Sequence, residues 1–271
     1  MGPADPERPA AAAADMPGGL AVSQDGFTLD LQTPVVDGGV PAELAFAITG
    51  PDGRPVTDYT VEHDKELHLV VVGRDLAAYA HVHPERDSRG IWTVTAPPLT
   101  PGSYRVFADF TPAGGGGLTL GADLVVPGDH RPVALPAPAE VATVDGFDVS
   151  FRGRLVAGSE SEMTVGVTRN GEPVDDLQPY LGALGHLVAI RSGDLAYLHV
   201  HPLEETAGPG GPSVRFAVEV PTAGTYRLFF DFSHGGDVRT AATTAVTADA
   251  AIAGDVAGVP ADDDDHDEHG G

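Results

Sequence analysis

The segment HLVVVGRDLAAYAHVHP at residues 68–84 recurs without a gap as HLVAIRSGDLAYLHVHP at residues 186–202. Each copy has two apolar runs separated by a short stretch with Gly and Asp, which is the pattern of a β-hairpin. Three histidines keep their places in both copies, namely His68, His81 and His83 in the first and His186, His199 and His201 in the second. The repeated hairpin therefore carries both the fold signal and the candidate chemistry.

The repeat extends well beyond the hairpins. DGFTLDL at 25–31 matches DGFDVSF at 145–151, and PGSYRVFADF at 101–110 matches AGTYRLFFDF at 223–232. The offset stays between 118 and 122 residues, so the chain holds two copies of one whole domain. We expect a flexible stub at 1–19, a first domain at 20–128, a proline-rich linker at 129–140, a second domain at 141–248 and a disordered acidic tail with histidines at 249–271.

Short apolar runs separated by Gly, Pro, Asp and Asn predict strands, and no helical pattern is present. In the first copy the strands are predicted near 27–31, 42–49, 66–72, 77–83, 91–96, 103–110 and 117–126. Tyr104 and Tyr226 each begin the sixth strand, where immunoglobulin-like sandwiches have a tyrosine corner. The sequence therefore predicts an all-β protein with two tandem immunoglobulin-like β-sandwich domains.

The chain is strongly acidic and contains no cysteine. Its 15 Lys and Arg residues against 40 Asp and Glu residues give a formal net charge of −25, which repels nucleic acid and anionic lipid. Disulfides, zinc ribbons and iron–sulfur clusters are excluded. No apolar run predicts a membrane span, and we expect any signal or anchor to lie outside this sequence. Without a GxSxG or HExxH motif, an enzyme is not expected.

A two-residue hairpin loop at 74–75 or 192–193 would place His68 opposite His81, and His186 opposite His199. Residues across an antiparallel pair have Cβ atoms about 4.5 to 5.5 Å apart, and residues two apart share a face. Three imidazoles arranged in this way can bind one ion with bonds of roughly 2.0 to 2.1 Å. We therefore predict one metal site in each repeat, formed by His68, His81 and His83 and by His186, His199 and His201.

Four further side chains are candidate ligands or hydrogen-bond partners of the ligands. The third and sixth strands of the fold are antiparallel neighbours, so Asp109 and Asp231 are expected at the same rim as the histidines. We expect His63 to approach the first site and His234 to approach the second. The second copy has Leu181 in place of His63, so the two sites should differ.

Imidazole and carboxylate ligands suit Cu(II) and Zn(II), and Cu(II) has the higher affinity in the divalent series. None of the three methionines adjoins a histidine motif, which disfavours Cu(I). We therefore expect Cu(II) first and Zn(II) second, in a buffer or carrier. The alternative is a non-catalytic interaction or assembly module of the cell envelope, in which the histidines only brace the hairpins.

The pattern ELHLVVV, RDL and YAHVHP, followed by PGSYRVFADF, resembles a group of two-repeat proteins from high-GC Gram-positive bacteria over about residues 20–248. Each half is similar, more loosely, to immunoglobulin-like modules of the YtkA and FixH type and to the copper-resistance protein CopC. The resemblance implies an extracytoplasmic protein, secreted or membrane-anchored, that handles a metal such as copper or serves respiratory-complex assembly. CopC-type proteins use an N-terminal histidine and a different spacing, which this sequence lacks.

Overall fold

The computed structural model describes residues 17–198, 200–204, 206 and 208–247. Every regular element in these ranges is a β-strand, so they contain no helix that would be able to cross a membrane. The expected acidic tail at 249–271, most of the expected stub and the candidate ligand His199 lie outside the described residues.

The first domain is built from two antiparallel sheets. One has the strand order β1-β2-β3-β8-β7, and the other has the order β10-β9-β5-β6 with β4 paired to β9. The seven strands predicted for this copy are confirmed to within two residues at each end. The strands are β1 (Ser23–Gln24), β2 (Phe27–Leu31), β3 (Ala42–Thr49), β4 (Tyr59–Thr60), β5 (Leu67–Gly73), β6 (Tyr79–Val82), β7 (Glu85–Arg86), β8 (Ile91–Ala96), β9 (Gly102–Pro112) and β10 (Leu118–Val126).

The second domain repeats this plan. One sheet has the order β11-β12-β13-β18-β17 with β14 paired to β13, and the other has the order β16-β15-β19-β20. The prediction of two tandem β-sandwiches is therefore confirmed. The strands are β11 (Val141–Val144), β12 (Phe147–Gly153), β13 (Ser159–Arg169), β14 (Glu172–Pro173), β15 (His186–Arg191), β16 (Tyr197–Leu198), β17 (Val200–Pro202), β18 (Ser213–Val220), β19 (Thr225–His234) and β20 (Asp237–Val246).

Each sandwich has its own apolar core and its own tyrosine corner. The first core packs around Phe46 and the second around Phe216, both fully buried. The Tyr104 hydroxyl donates to the carbonyl oxygen of Thr100 at 2.7 Å, and the Tyr226 hydroxyl donates to that of Thr222 at 2.8 Å. Both predicted corners are thus confirmed, and each ties the start of the sixth strand to the loop before it.

The histidine hairpins have four-residue loops, not the expected two-residue loops. In the first hairpin Val70 lies opposite His81, so the predicted opposition of His68 to His81 is wrong by two residues, and the second hairpin has the equivalent register. Each loop contains a leucine at positive φ, Leu76 at 61° and Leu195 at 63°. Both leucines are buried in the apolar core that the two domains share. Because the shift is even, the histidines keep their predicted face.

The two domains pack through the sheets that carry these hairpins. Tyr79 of the first domain stacks on Phe229 of the second, with ring centroids 4.2 Å apart and planes 9° apart. The repeat equivalents make the reciprocal contact, because Tyr197 packs on Phe107 with centroids 5.4 Å apart. The repeats therefore meet as a pseudo-symmetric pair, like the two subunits of an isologous dimer. The shared core consists of Val70, Val72, Leu76 and Phe107 with Val188, Ile190, Leu195, Tyr197 and Phe229.

Candidate metal centre

The histidines of the first hairpin lie on the face that packs against the second domain. His68 shares the outward face of β5 with Val70, and His81 shares that of β6 with Tyr79, because residues two apart on a strand point the same way. One ring nitrogen from each of His68, His81 and His83 lies within 4.8 Å of the others. The first predicted triplet is therefore brought together at the junction of the two domains.

A continuous row of polar contacts runs through this triplet from one domain to the other. His68 Nε2 lies 3.2 Å from the carbonyl oxygen of Glu62, and His68 Nδ1 lies 3.2 Å from His81 Nε2. His81 Nδ1 lies 2.9 Å from Oδ2 of Asp231, which belongs to β19 of the second domain. The side chains of His81 and Asp231 are only 4% and 2% exposed. The two domains thus share a buried imidazole–carboxylate contact.

The directions of these hydrogen bonds determine which nitrogens keep a lone pair. A carbonyl and a carboxylate only accept, so His68 Nε2 and His81 Nδ1 must carry the protons. His68 Nδ1 and His81 Nε2 then face each other as lone pairs across 3.2 Å. Such a pair is repulsive unless a cation or a shared proton joins the two nitrogens. With metal bonds of roughly 2.0 to 2.1 Å, this separation corresponds to an angle of about 100° at the ion, close to tetrahedral.

Asp231 is a buried carboxylate with three hydrogen-bond donors. Besides His81, the Tyr79 hydroxyl donates to Oδ2 at 2.9 Å and the Thr240 hydroxyl donates to Oδ1 at 2.5 Å. The pKa of Tyr79 lies well above its usual value, because burial and the nearby Asp231 charge both oppose ionisation. Asp231 lies opposite His186 in its own sheet, as predicted from the strand order, yet two of its three donors come from the first domain.

His83 differs from the other members of the triplet in its hydrogen bonding. Its Nε2 atom is buried and has no hydrogen-bond partner within the described ranges. Burial, followed by the charge of His81 and His68, lowers the pKa of His83 to about 3. The ring is therefore neutral at ordinary pH, which is the form that binds metals.

His186 of the second repeat lies against the triplet of the first. Its ring centroid is 5.7 Å from that of His68, 5.9 Å from that of His81 and 5.0 Å from that of His63. Burial lowers the pKa of His186 to about 2 and that of His68 to about 3, with His81 as the next contribution. The term histidine cluster is used below for the five rings His63, His68, His81, His83 and His186.

The structure assembles one triplet in the part of the chain that it describes, whereas the sequence predicted one in each repeat. His186 joins the first repeat's histidines, because domain packing turns the two hairpin faces toward each other. His201 lies opposite Ala217 in β17, the edge strand of its sheet, and lines the same small cavity as His68, His81 and His186. The position of His199 lies outside the described residues.

A cavity of about 60 Å³ adjoins the histidine cluster, and Asp109 lies in its wall. This volume is large enough to hold water beside the rings. Asp109 lies opposite His68 across β5 and β9, as predicted, and accepts a hydrogen bond from Thr119 at 3.0 Å. Burial raises the pKa of Asp109 to about 6. Asp109 is therefore close to the cluster without being bonded to it.

His234 is engaged in a different contact. Its Nε2 atom lies 3.1 Å from Oδ1 of Asp176, and its ring packs on Phe147 with centroids 5.2 Å apart. Sequence reasoning assigned His234 to the second site and did not identify Tyr79 as part of the first. The signal for Tyr79 was present, because Tyr79 and Tyr197 alternate with the repeated histidines and so share their face.

Together these features define a tandem immunoglobulin-like protein with a buried histidine cluster between its domains. The chain matches a family described as a domain of unknown function (DUF8832) at residues 21–124 and again at residues 142–249. The chain belongs to this family and contains two copies of its domain. A comparison with curated proteins found no match.

Several solved structures are similar to this chain at low identity. The Escherichia coli adhesin FdeC has 15% identity and a TM-score of 0.28 over 84% of this chain and 66% of the adhesin chain. The N-terminal Ig1-2 module of the Drosophila receptor protein tyrosine phosphatase DLAR has 13% identity and a TM-score of 0.22 over 82% of this chain and 98% of the module. Salmonella alpha-2-macroglobulin has 15% identity and a TM-score of 0.30 over 89% of this chain and 16% of its own. These TM-scores lie below 0.5, so the similarities carry no argument about the function of this chain. The looser resemblance to YtkA, FixH and CopC is not confirmed.

Proposed function

We propose that this protein is a non-catalytic, extracytoplasmic metal-binding protein that acts as a buffer or carrier for one divalent ion. The ion binds His68, His81 and His83 at the junction of the two domains. The observation that carries this proposal is the 3.2 Å separation of His68 Nδ1 and His81 Nε2, with the other nitrogen of each ring directed at a group that only accepts.

Two further features support a metal ion over a shared proton. A proton joins only two nitrogens, whereas His83 adds a third neutral imidazole whose buried Nε2 has no partner in the described residues. The carboxylate of Asp231 behind His81 is the usual companion of a metal-binding histidine, because it orients the ring and raises its basicity. The net charge of −25 also raises the local concentration of cations.

Cu(II) and Zn(II) are both suited to these ligands. The general affinity order favours Cu(II), as expected from the sequence. The angle of about 100° between the His68 and His81 bonds suits tetrahedral zinc better than tetragonal copper. The test therefore uses both metals and measures the affinity and the spectrum of each complex.

Isothermal titration of the full chain with Zn(II) and Cu(II) tests the proposal. His83→Ala is the most informative variant, because His83 Nε2 has no hydrogen bond to lose among the described residues. We expect one tight site in the wild type and a loss of affinity of at least about 100-fold in His83→Ala. His234→Ala, which removes a histidine bonded to Asp176, is the matched control and should bind like the wild type.

The acidic tail remains in both variants, so weak binding by the tail cancels in the comparison. Circular dichroism of each variant checks that the domains are folded. Equal affinity in His83→Ala and the wild type, or a wild type with no site tighter than the background, would overturn the proposal.

The second candidate function is a non-catalytic interaction or assembly module of the envelope. Hydrogen bonds of His68, His81 and His186 to Glu62, Asp231 and Leu181 favour it, because these bonds can brace the domains without a metal. This function predicts that His81→Ala lowers the melting temperature equally with chelator and with metal. A metal-dependent difference would favour the metal-binding function.

We base the extracytoplasmic location on the resemblance of the two repeats to exported two-repeat proteins. Fractionation of the native cells, with detection by a specific antibody, tests this location. Recovery of the protein with the cytoplasmic fraction would exclude an extracytoplasmic buffer or carrier.

A further inference from the structure

His186 in the second repeat has the same hydrogen-bonding role as His68 in the first. His68 Nε2 lies 3.2 Å from the carbonyl of Glu62, and His186 Nε2 lies 3.2 Å from the carbonyl of Leu181. Both carbonyls belong to the tight turn that precedes the histidine strand. Since a carbonyl only accepts, Nε2 of each ring donates and Nδ1 of each ring keeps a lone pair. Nδ1 of His186, which belongs to the second domain, is therefore unprotonated and able to bind a metal ion.

The ring separations match those of four imidazoles around one ion. Bonds of roughly 2.0 to 2.1 Å, extended by the ring radius, place the centroids of tetrahedrally arranged imidazoles about 5.2 Å apart. Within the triplet the centroids are 5.4, 5.2 and 4.8 Å apart. His186 lies 5.7 Å from His68 and 5.9 Å from His81, within about 1 Å of that separation from two of the three rings.

Asp231 is a second contribution of the same domain to the centre. Its bond to His81 Nδ1 holds the proton on that nitrogen and leaves Nε2 free to bind the ion. The repeat equivalent Asp109 keeps the corresponding threonine bond, from Thr119, but bonds to no imidazole among the described residues, so the two aspartates do not have the same role. The first repeat supplies three ligands, and the second repeat supplies the group that orients one of them.

We infer that the metal centre is shared by the two repeats, with His186 as the fourth ligand and Asp231 as the residue that positions His81. This inference rests on the proposed metal-binding function. It makes the ion a link between the domains, since its bonds run to β5 and β6 on one side and to β15 on the other. Metal binding then requires both repeats in one packed unit.

Two conservative variants of the full chain test the shared centre. His186→Gln keeps a donor for the carbonyl of Leu181 and removes the ligand nitrogen, and Asp231→Asn keeps the shape of the positioning residue. His234→Ala is the matched control, because it also removes an imidazole but one that is bonded to Asp176 outside the histidine cluster. We expect Zn(II) affinity to fall at least about 100-fold in His186→Gln, which loses a ligand, and about 10- to 100-fold in Asp231→Asn, and to stay unchanged in the control.

The visible spectrum of bound Co(II), used in place of zinc, separates a ligand from a bracing residue. The wild type should give the intense absorption of a tetrahedral ion, and His186→Gln should lose or shift it, whereas an indirect effect on stability would leave the band shape unchanged. If His83→Ala loses binding while His186→Gln and Asp231→Asn keep wild-type affinity and spectra, the shared centre is refuted and the proposed function stands. If the wild type does not bind Zn(II), Cu(II) or Co(II), both fail.

Discussion

Replacing Tyr79 by phenylalanine removes a single oxygen atom from the contact between the two domains. The Tyr79 hydroxyl donates to Asp231 Oδ2 at 2.9 Å, and its ring stacks on Phe229 at 4.2 Å. Phenylalanine keeps the stacked ring, so the substitution isolates the hydrogen bond. Because burial and the Asp231 charge hold the pKa of Tyr79 well above its usual value, the hydroxyl remains a donor throughout the accessible pH range.

The expected loss follows from the burial of the acceptor. A hydrogen bond to a charged group contributes about 1.5 to 3 kcal/mol, and water cannot replace it here because the Asp231 side chain is 2% exposed. We therefore expect the free energy of unfolding to fall by about 1.5 to 3 kcal/mol. For domains that unfold as one unit, each kcal/mol lowers the melting temperature by about 2 to 4 °C, which gives a decrease of about 3 to 12 °C.

Urea unfolding of chelator-treated protein measures this loss. The single tryptophan, Trp92, reports on the first domain, and far-UV circular dichroism reports on both. Tyr180→Phe is the control, because it deletes a hydroxyl in the same region from a tyrosine that is not a donor to Asp231; its effect should stay below about 0.5 kcal/mol. A loss below about 0.5 kcal/mol for Tyr79→Phe would refute the hydrogen bond between Tyr79 and the buried carboxylate.

Three further outcomes are expected. Phe229→Ala should cost about 3 to 5 kcal/mol in urea unfolding, because the ring is 2% exposed between the domains; a cost below 1 kcal/mol would contradict that packing. In metal-free protein, burial lowers the pKa of His68 to about 3 and that of His186 to about 2 from the usual 6.5, so the unfolded state binds more protons below pH 6.5. The contribution of these two histidines to stability should therefore be constant above pH 6.5 and fall toward pH 3 by up to about 1.4 kcal/mol per pH unit for each histidine. The difference in stability between pH 7.5 and pH 5 should accordingly be smaller in the His68→Gln, His186→Gln variant than in the wild type. Tyr226→Phe should cost about 0.5 to 1.5 kcal/mol through the lost 2.8 Å bond to Thr222, and no change in the urea midpoint would contradict its role as a corner.

The sequence analysis did not predict that the second domain packs on β5, although the composition of this strand indicates it. All seven residues of β5 are buried, and its sequence LHLVVVG is almost continuously apolar. An antiparallel strand with one solvated face alternates instead, as β8 does with IWTVTA. The continuous run therefore indicated that both faces of the strand are covered, one by its own core and one by the other domain.

The loop length and the register of the hairpins could not be predicted from the sequence, because they also depend on the packing of the two domains. Leu76 and Leu195 adopt positive φ, which is unfavourable for leucine, and both side chains are buried in the core that the two domains share. Because this core includes residues of both repeats, no pattern within one hairpin indicates it. A two-residue loop remained the simpler prediction for each hairpin in isolation.

The sequence by itself determined the strands, the tandem repeat, the two tyrosine corners and the face on which the histidines lie, because these depend on periodicity and on contacts within about a hundred residues. Only the tertiary structure decided that His186 joins the triplet of His68, His81 and His83, and that Asp231 bonds across to His81. Both facts depend on how two complementary sheet faces pack, which is determined by side-chain shape over the whole interface. Residues more than a hundred positions apart become neighbours there, and local patterns carry no record of such contacts.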